Sequence, residues 1–315
     1  MSDSARTPGM LECCAAITGV VWGLVRPRRP DHRFINSISD MGLPKPRYTV
    51  TVTALPQVPR AVPTMAVAEG TFTPRRIANS LTSFVVEHHQ AAFIVDPSVC
   101  VDVEKRTIAQ LPKVMRIAVR PPTDTIATIT ALHRTPDLPK LDFALPTHAH
   151  WDHVCGLLDL PDLPVNLHRP EHQWITSGPL APVGGVRDSL RSRPITEYEL
   201  DGPPVLTFTR SHDLFGDASV LLVDLAGHTP GSIGVLAHTA RGWILLAGDA
   251  AWHTLQIENI RQKSSYPGYF ADHDRQETFK TLHRLHAARH AVMIIPTHDH
   301  QASRYVGNSA DDHGE

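Results

Sequence analysis

Short apolar runs that each stop at a polar or turn-forming residue recur along the chain from about residue 81 onward. Residues 83–86 (SFVV) and 91–95 (AAFIV) flank a polar break at 87–90, and this spacing predicts a β-hairpin. Four later runs predict further strands, at residues 143–145, 220–225, 243–247 and 292–295. This pattern is typical of a mixed α/β domain with short strands.

One helix is predicted over residues 274–290. Asp274 and Glu277 have the spacing of a capping box at its start. Phe279, Leu282 and Leu285 recur every three residues and form its apolar face.

Residues 1–70 have a different pattern and are predicted to form an N-terminal extension, with residues 71–315 as the main domain. Residues 44–63 contain five prolines, which favour an extended arm over a helix. The apolar run at 13–25 is too short to span a bilayer, so no stable membrane span is expected. We interpret it as a packed or peripheral helix. A homodimer contact and a membrane-surface contact remain alternatives.

Composition and charge limit the classes of function. The chain has 315 residues, 42% of them hydrophobic and 20% charged, with a formal net charge of −2. This balance is typical of a globular protein and lacks the basic footprint of a nucleic-acid binder. The four cysteines form no C-x-x-C pair and two of them are adjacent, so we expect reduced thiols and a cytoplasmic location.

Candidate metal ligands follow the predicted strands. Each of four apolar runs leads through a turn residue to a histidine or an aspartate, and ligands at strand ends sit on rigid supports at one edge of a sheet. Imidazole nitrogen and carboxylate oxygen are the ligand types of catalytic zinc sites. The candidate set is His148, His150, Asp152, His153, His228, Asp249 and His298.

The motif H-x-H-x-D-H at 148–153, followed in order by GHTPGS, GDA and PTHD, resembles that of the metallo-β-lactamase-fold hydrolase superfamily. The resemblance covers about residues 81–300. It implies an αββα four-layer sandwich of two mixed β-sheets with the metals at one edge, and makes residues 71–315 the catalytic domain.

The resemblance also implies roles for the seven residues. His148, His150 and His228 would hold one divalent metal ion, Asp152, His153 and His298 a second, and Asp249 would bridge both. Asp152 and Asp249 would be the catalytic carboxylates, with Asp152 also able to move a proton to the leaving group. The metals would be zinc, with iron and manganese as alternatives, and would activate a bridging hydroxide.

The substrate is open at this point. The pattern is similar to lactonases, esterases and organophosphate hydrolases of the superfamily, so we expect a small-molecule carboxylic ester or lactone. A phosphotriester or phosphodiester hydrolase is the alternative, and a non-catalytic metal-binding scaffold a third. Acyl-homoserine lactonases characteristically have tyrosine three residues after the bridging aspartate, where this chain has Trp252.

Four aromatic residues are predicted to contact the substrate. Trp151 and Trp252 are expected at the mouth of an apolar pocket. Residues 170–204 form a long stretch interrupted by proline and glycine, which we interpret as a lid over the metals. Trp174 and Tyr198 would be the substrate contacts of this lid.

Overall fold

A computed structural model describes residues 10–306 except 112, 114–115, 117–118, 178–186, 188 and 191–192. The strands are β1 Thr51–Ala54, β2 Arg60–Pro63, β3 Arg76–Asn79, β4 Phe84–His88, β5 Ala91–Val95, β6 Phe143–Leu145, β7 Val165–His168, β8 Ile195–Tyr198, β9 Ser211–Asp213, β10 Val220–Asp224, β11 Ile233–Thr239, β12 Gly242–Leu246 and β13 Met293–Ile295.

The helices lie before, between and after these strands. They are α1 Met10–Val25, α2 His32–Ser37, α3 Thr64–Val67, α4 Val103–Arg106, α5 Thr128–Arg134, α6 Trp151–Val154, α7 Arg169–Ser177, α8 Thr254–Asn259, α9 Ser265–Ala271, α10 Arg275–Ala288 and α11 His300–Ser303. Three 3-10 turns lie at Ile108–Gln110, Cys155–Asp159 and Arg304–Val306. None of the helices in the described ranges combines the length and apolar composition that a membrane span requires.

Two mixed sheets form the centre of the molecule. The first has the strand order β1-β4-β5-β6-β7-β8, antiparallel from β1 to β5 and parallel from β5 to β8. The second has the order β13-β12-β11-β10-β9, in which only β12 and β13 are parallel. A separate two-stranded ribbon pairs β2 with β3.

Alternation along the strands divides the core into three layers. Phe84 and Val86 on β4 point toward the second sheet, where they join side chains such as Leu222 of β10 in one buried cluster. Val85, between them, faces the opposite way into a cluster with the helices outside the first sheet. The outer face of the second sheet packs against Leu282 and its neighbours on α10. The predicted αββα arrangement is therefore confirmed.

The predicted helix at 274–290 is α10, and Asp274 caps it by accepting hydrogen bonds from the backbone N–H groups of Gln276 and Glu277. The reciprocal contact of a capping box is not made, because Glu277 pairs with Lys280 and the Asp274 N–H donates to the Gly227 carbonyl.

The domain boundary predicted at residue 70 stays a prediction, but strands on the two sides of it pair with each other. Thr51–Ala54 is an edge strand of the first sheet and pairs with β4, and Arg60–Pro63 pairs with a strand of the main domain. The apolar run at 13–25 is part of α1, which packs against α9. Residues 44–63, predicted to be extended and not helical, contain β1, β2 and irregular segments and no helix.

The predicted lid at 170–204 is not supported where the structure describes it. Arg169–Ser177 is a helix against the body of the protein, and Ile195–Tyr198 is the edge strand of the first sheet. Residues 178–186, 188 and 191–192 of this segment lie outside the described residues.

Candidate metal centre

The seven predicted ligands all lie at one edge of the sandwich, because each follows the end of a strand. β6 leads into His148 and His150. In the second sheet, β10, β12 and β13 lead into His228, Asp249 and His298, respectively. The two sheets therefore contribute to one cluster, and neither holds the whole set.

Three of the histidines meet around one point. His148 Nε2 lies 3.0 Å from His150 Nδ1, which lies 2.9 Å from His228 Nε2. His148 and His228 are fully buried and His150 is partly buried. This group has the composition and convergence of a three-histidine metal site.

A second group forms beside the first. His298 Nε2 lies 3.6 Å from Asp152 Oδ2, and these two residues and His153 can place one ligand atom each within reach of a single ion. Asp152 is the most exposed of the three side chains, at 17%.

The carboxylate of Asp249 lies between the two groups. Its Oδ2 is 3.3 Å from His228 Nε2, and its Oδ1 is 3.3 Å from His153 Nε2 and 3.0 Å from His298 Nε2. Each oxygen thus faces a different group, which is the geometry that a bridging carboxylate requires.

The hydrogen bonds of the imidazoles fit a pair of bound cations. In four of the histidines the outward-facing Nδ1 is paired with an oxygen acceptor of the protein, which leaves the inward Nε2 unprotonated when the ring is neutral. The pairs are His148–Thr147 Oγ1 at 3.2 Å, His153–Asp96 Oδ2 at 2.8 Å, His228–Asp272 Oδ1 at 2.8 Å and His298–Ser80 O at 2.9 Å.

Two buried atoms of the cluster lack a hydrogen-bond partner among the described residues, His153 Nε2 and Asp249 Oδ1. They face each other, and both are acceptors when the imidazole is neutral. A metal ion satisfies two such acceptors at once, so the residues present fit a divalent cation.

Electrostatics distinguishes the two groups. Burial, reinforced by neighbouring histidines, lowers the pKa of His148 and His150 well below its ordinary value, so both stay neutral and able to bind metal. Burial alone would also lower the pKa of His153, but Asp96 and Asp249 outweigh it and raise that pKa well above its ordinary value. The second group therefore attracts positive charge, and protons compete with metal there.

Several buried residues that support the ligands were missed in the sequence. Asp96 directly follows β5, and its carboxylate accepts hydrogen bonds from the Thr147 N–H, the Thr147 and Thr297 hydroxyls and His153. Its φ of 52° is left-handed. An aspartate directly after an apolar strand was the available signal.

A buried lysine also lies against the ligands. Lys263 Nζ is 2.8 Å from both Asp272 Oδ1 and the backbone oxygen of Asp249. Burial alone would raise the pKa of Asp272, but Lys263 and the hydrogen bond from His228 lower it to about 2. Asp272 is thus a carboxylate held between an ammonium group and a ligand histidine.

Glu171 links the two loops that carry the three-histidine group. Its carboxylate accepts hydrogen bonds from the Ala149 N–H at 2.7 Å, the Gly231 N–H at 3.0 Å and the Thr229 hydroxyl at 2.6 Å. A Cβ at Gly231 would lie 2.3 Å from the backbone nitrogen of Glu171. Glycine at this position therefore allows the close approach of α7.

An apolar cavity of about 280 Å³ opens beside the second group. Asp152 and His298 lie at one end of it with Trp151 and Trp252. Its apolar walls include Val62 of β2, Val67 of α3 and Leu81, which follows β3, together with Val119 and Pro122. A smaller cavity of about 60 Å³ lies against His150, His228 and Asp249 and is lined by Tyr266 and Phe270 of α9.

A family model described as the metallo-beta-lactamase superfamily matches residues 78–298, more than half of the chain. The chain belongs to this superfamily. It is similar to a probable metallo-hydrolase of Mycobacterium tuberculosis, at 26% identity over 171 residues that cover 49% of this chain and 53% of the relative. The chain thus spans about half the length of the curated relatives it matches.

Solved structures of the superfamily share the fold. An N-acyl homoserine lactone hydrolase with the product N-hexanoyl-L-homoserine at its catalytic metal center matches with a TM-score of 0.61 at 16% identity, covering 82% of this chain and 97% of that one. A dizinc quorum-quenching lactonase with a product bound matches with a TM-score of 0.55 at 12% identity, covering 82% and 92%. At these identities the likeness shows the fold alone.

Within this superfamily fold, the four predicted substrate contacts have different surroundings. Trp151 and Trp252 line the larger cavity. Trp174 is buried with its ring 5.6 Å from that of His150, but it lines neither of the two cavities. Tyr198 is buried on β8 between the rings of His168 and His212, so the prediction that it contacts substrate from a lid is not supported.

Trp252 has a defined role in the geometry of the cluster. Its indole N–H donates a hydrogen bond to Asp249 Oδ2 at 2.6 Å, and its ring lies 4.9 Å from Lys263 Nζ. The indole N–H is therefore engaged with the candidate bridging carboxylate. His253 and His300, which lie near the ligands in the sequence, belong to none of the ligand groups.

Proposed function

We propose that the protein hydrolyses a carboxylic ester or lactone with an apolar acyl part, using two divalent metal ions held by the seven predicted ligands. The observation that carries this proposal is the Asp249 carboxylate, which lies between the two ligand groups. The second of these groups lies at the end of the larger apolar cavity. Zinc suits this set of nitrogen and oxygen ligands, with iron and manganese as alternatives.

The bound ions would supply Lewis acidity, which activates water for attack and polarises the substrate oxygen. The protein's own residues do the remaining work. His148, His150 and His228 would hold one ion, and Asp152, His153 and His298 the other. Asp152, whose side chain is partly exposed on the cavity, would carry a proton to the leaving group.

The cavity supports an apolar acyl part. Its walls near the metals are Trp151 and Trp252, and further out they are aliphatic side chains and prolines. Each buried methylene contributes about 0.8 kcal/mol to binding, so longer acyl chains are expected to lower KM until the cavity is filled.

The test is a substrate panel on protein loaded with zinc or manganese. It includes lactones and aryl esters of increasing acyl length and aryl phosphotriesters. Turnover of lactones or esters that rises with acyl length supports the proposal. Absence of turnover on every ester and lactone, with two metals bound per chain by elemental analysis, refutes it.

Asp249→Asn is the variant that tests the bridging role. We expect metal occupancy and turnover to fall together, because an amide oxygen is a much weaker bridging ligand. Asp213→Asn, on a strand far from the ligands, is the matched control. Full turnover in Asp249→Asn with both metals retained contradicts the assignment.

One observation favours phosphotriester hydrolysis as a second candidate function. Lactonases that this chain resembles have a tyrosine where it has Trp252, and the indole N–H is engaged with Asp249. An indole cannot replace a phenol as an acid at the substrate carbonyl. Turnover of phosphotriesters without turnover of lactones would favour this candidate. The complete set of seven ligands argues against a non-catalytic scaffold.

A further inference from the structure

Exposed apolar side chains are concentrated on one surface of the molecule. Within the described part of the chain, eight large hydrophobic side chains are exposed, and five of them lie on α1 or on the two segments packed against it. These five, which we call the apolar patch, are Val21 (63% exposed), Trp22 (62%), Val25 (74%), Phe72 (57%) and Tyr269 (47%).

The three segments contact one another. α1 packs against α9, which carries Tyr269, and a Cβ at Gly19 would lie 2.7 Å from the Ser265 hydroxyl. The loop that carries Phe72 meets the end of α1, since a Cβ at Gly70 would lie 2.7 Å from Pro27. The apolar patch is therefore a feature of one surface.

The exposed charge around the patch is mainly positive. Residues 16–30, 70–76 and 264–271 contain five arginines and no aspartate or glutamate. Of the acids that border these segments, Glu69 is buried and accepts a hydrogen bond from the Arg28 N–H, and Asp31 caps α2. Arg26 and Arg29 are exposed, and the Arg26 guanidinium lies 5.1 Å from the ring of Trp22. Arg75 and Arg76 are exposed beside Phe72.

A helix that presents tryptophan and valine next to arginine is suited to the interface between lipid headgroups and acyl chains. Trp22 and Val25 lie three residues apart, and Val21 and Val25 four apart, so they share one face of α1. We propose that the apolar patch docks the protein onto an anionic lipid surface, with Trp22, Val25 and Phe72 entering the headgroup region.

Other occupants fit less well. A second copy related by twofold symmetry would bring two sets of these exposed arginines into one interface, where like charges repel. A nucleic acid would engage the arginines but leave the exposed valines and tryptophan without a role. An anionic lipid surface satisfies the apolar side chains and the arginines together.

The position of α9 gives the surface a functional consequence, which rests on the hydrolase function proposed above. On one side α9 contacts α1, and on the other its Tyr266 and Phe270 line the smaller cavity, the one against His150, His228 and Asp249. Docking would hold this wall of the site close to a membrane, where apolar substrates concentrate.

The test is co-sedimentation of the full chain with vesicles of equimolar phosphatidylcholine and phosphatidylglycerol, and with vesicles of phosphatidylcholine alone. We expect binding to the anionic vesicles that weakens as salt is added. The double variant Trp22→Ser with Val25→Ser should lower the partition coefficient at least about tenfold. The control Met41→Ser with Val101→Ser, at exposed hydrophobic residues elsewhere, should not change it.

The arginines are tested separately. Because one basic residue near an anionic surface contributes a factor of about five to the partition coefficient, Arg26→Ser with Arg29→Ser should lower this coefficient about twenty-five-fold at low salt. Arg134→Ser with Lys140→Ser is the control at exposed positions away from the patch. All of these variants replace exposed side chains, so their melting temperatures should match that of the parent protein.

Two results would overturn the proposal. The first is that the protein does not bind anionic vesicles, or that the Trp22→Ser and Val25→Ser double variant binds them as well as the parent protein does. The other is a dimer in solution that the same double variant converts to a monomer, which would assign the patch to a second copy. Neither readout depends on catalysis, so failure here is distinct from failure of the proposed hydrolase function.

Discussion

Glu171→Gln removes one negative charge from a buried side chain and keeps the shape of that side chain. None of the hydrogen-bond partners of Glu171 is a candidate metal ligand. All three of its partners donate: the Ala149 N–H, the Gly231 N–H and the Thr229 hydroxyl. A glutamine has one acceptor oxygen and an NH2 group that only donates. Whichever way the amide turns, a donor of the side chain faces a donor of the protein.

The cost follows from the hydrogen bonds. In the better orientation the amide oxygen accepts from Gly231 and Thr229, and the NH2 group faces the Ala149 N–H. A buried donor left without an acceptor costs about 1–3 kcal/mol, and loss of charge from the other two bonds adds about 1 kcal/mol. The free energy of unfolding should fall by about 3 kcal/mol, and the melting temperature by about 6 °C.

The same change should weaken metal binding. Ala149 lies between His148 and His150, and Gly231 follows His228 by three residues, so Glu171 holds the loops that carry the three-histidine group. Loss of such supporting contacts typically lowers metal affinity about tenfold or more.

Calorimetry of the metal-free and metal-loaded protein, with competition against a chromophoric chelator, measures both effects. Glu197→Gln is the matched control, because Glu197 is 35% exposed and pairs with Arg169 at the surface. It should cost less than about 1 kcal/mol. A Glu171→Gln protein no less stable than the Glu197→Gln protein, with unchanged metal affinity, would refute the reasoning.

Three further predictions concern other buried groups. Lys263→Met should lower the free energy of unfolding, measured by urea denaturation, by about 3 kcal/mol, because Asp272 keeps a buried charge without its cation. Adding Asp272→Asn should recover part of this loss. If the effects of the two substitutions on the free energy of unfolding simply add, the pairing is contradicted. Burial would raise the pKa of Asp217, but hydrogen bonds, foremost from Ser219, lower it. The resulting stabilisation is present above the ordinary carboxyl pKa and is lost as pH falls below it, so Asp217→Asn should cost about 2 kcal/mol at neutral pH and progressively less in acid unfolding titrations. Tyr198→Phe should leave KM unchanged and the free energy of unfolding equal or higher, because the buried Tyr198 hydroxyl has no hydrogen-bond partner among the described residues. A raised KM would indicate that Tyr198 contacts the substrate after all.

The sequence predicted the ligands because their signal is local. Five of the candidate ligands follow the ends of strands within a few positions: His148, His150, His228, Asp249 and His298. An apolar run with a histidine or aspartate shortly after it was therefore enough to predict them. The αββα architecture came from the family resemblance carried by these motifs, since the apolar pattern alone indicates only a mixed α/β domain.

The supporting residues could not be predicted in this way. Glu171 reaches Gly231 across 60 positions, and Asp96 reaches Thr297 across 201. Glutamate and aspartate are usually exposed, so nothing local marks Glu171 as buried, and the position of Asp96 after an apolar strand does not reveal its partners. β1 was missed because four residues are too few to show alternation, and its place is decided by pairing with β4.

The division of the ligands between the two sheets has a consequence for biosynthesis. His148 and His150 emerge from the ribosome about midway through the sequence, but their partner His228 comes later and His298 later still. A nascent chain that stops before residue 228 lacks part of both proposed ligand groups, although it already contains all six strands of the first sheet. On the proposed ligand set, both groups would be complete only after His298, which follows the last strand of the second sheet, has been synthesised.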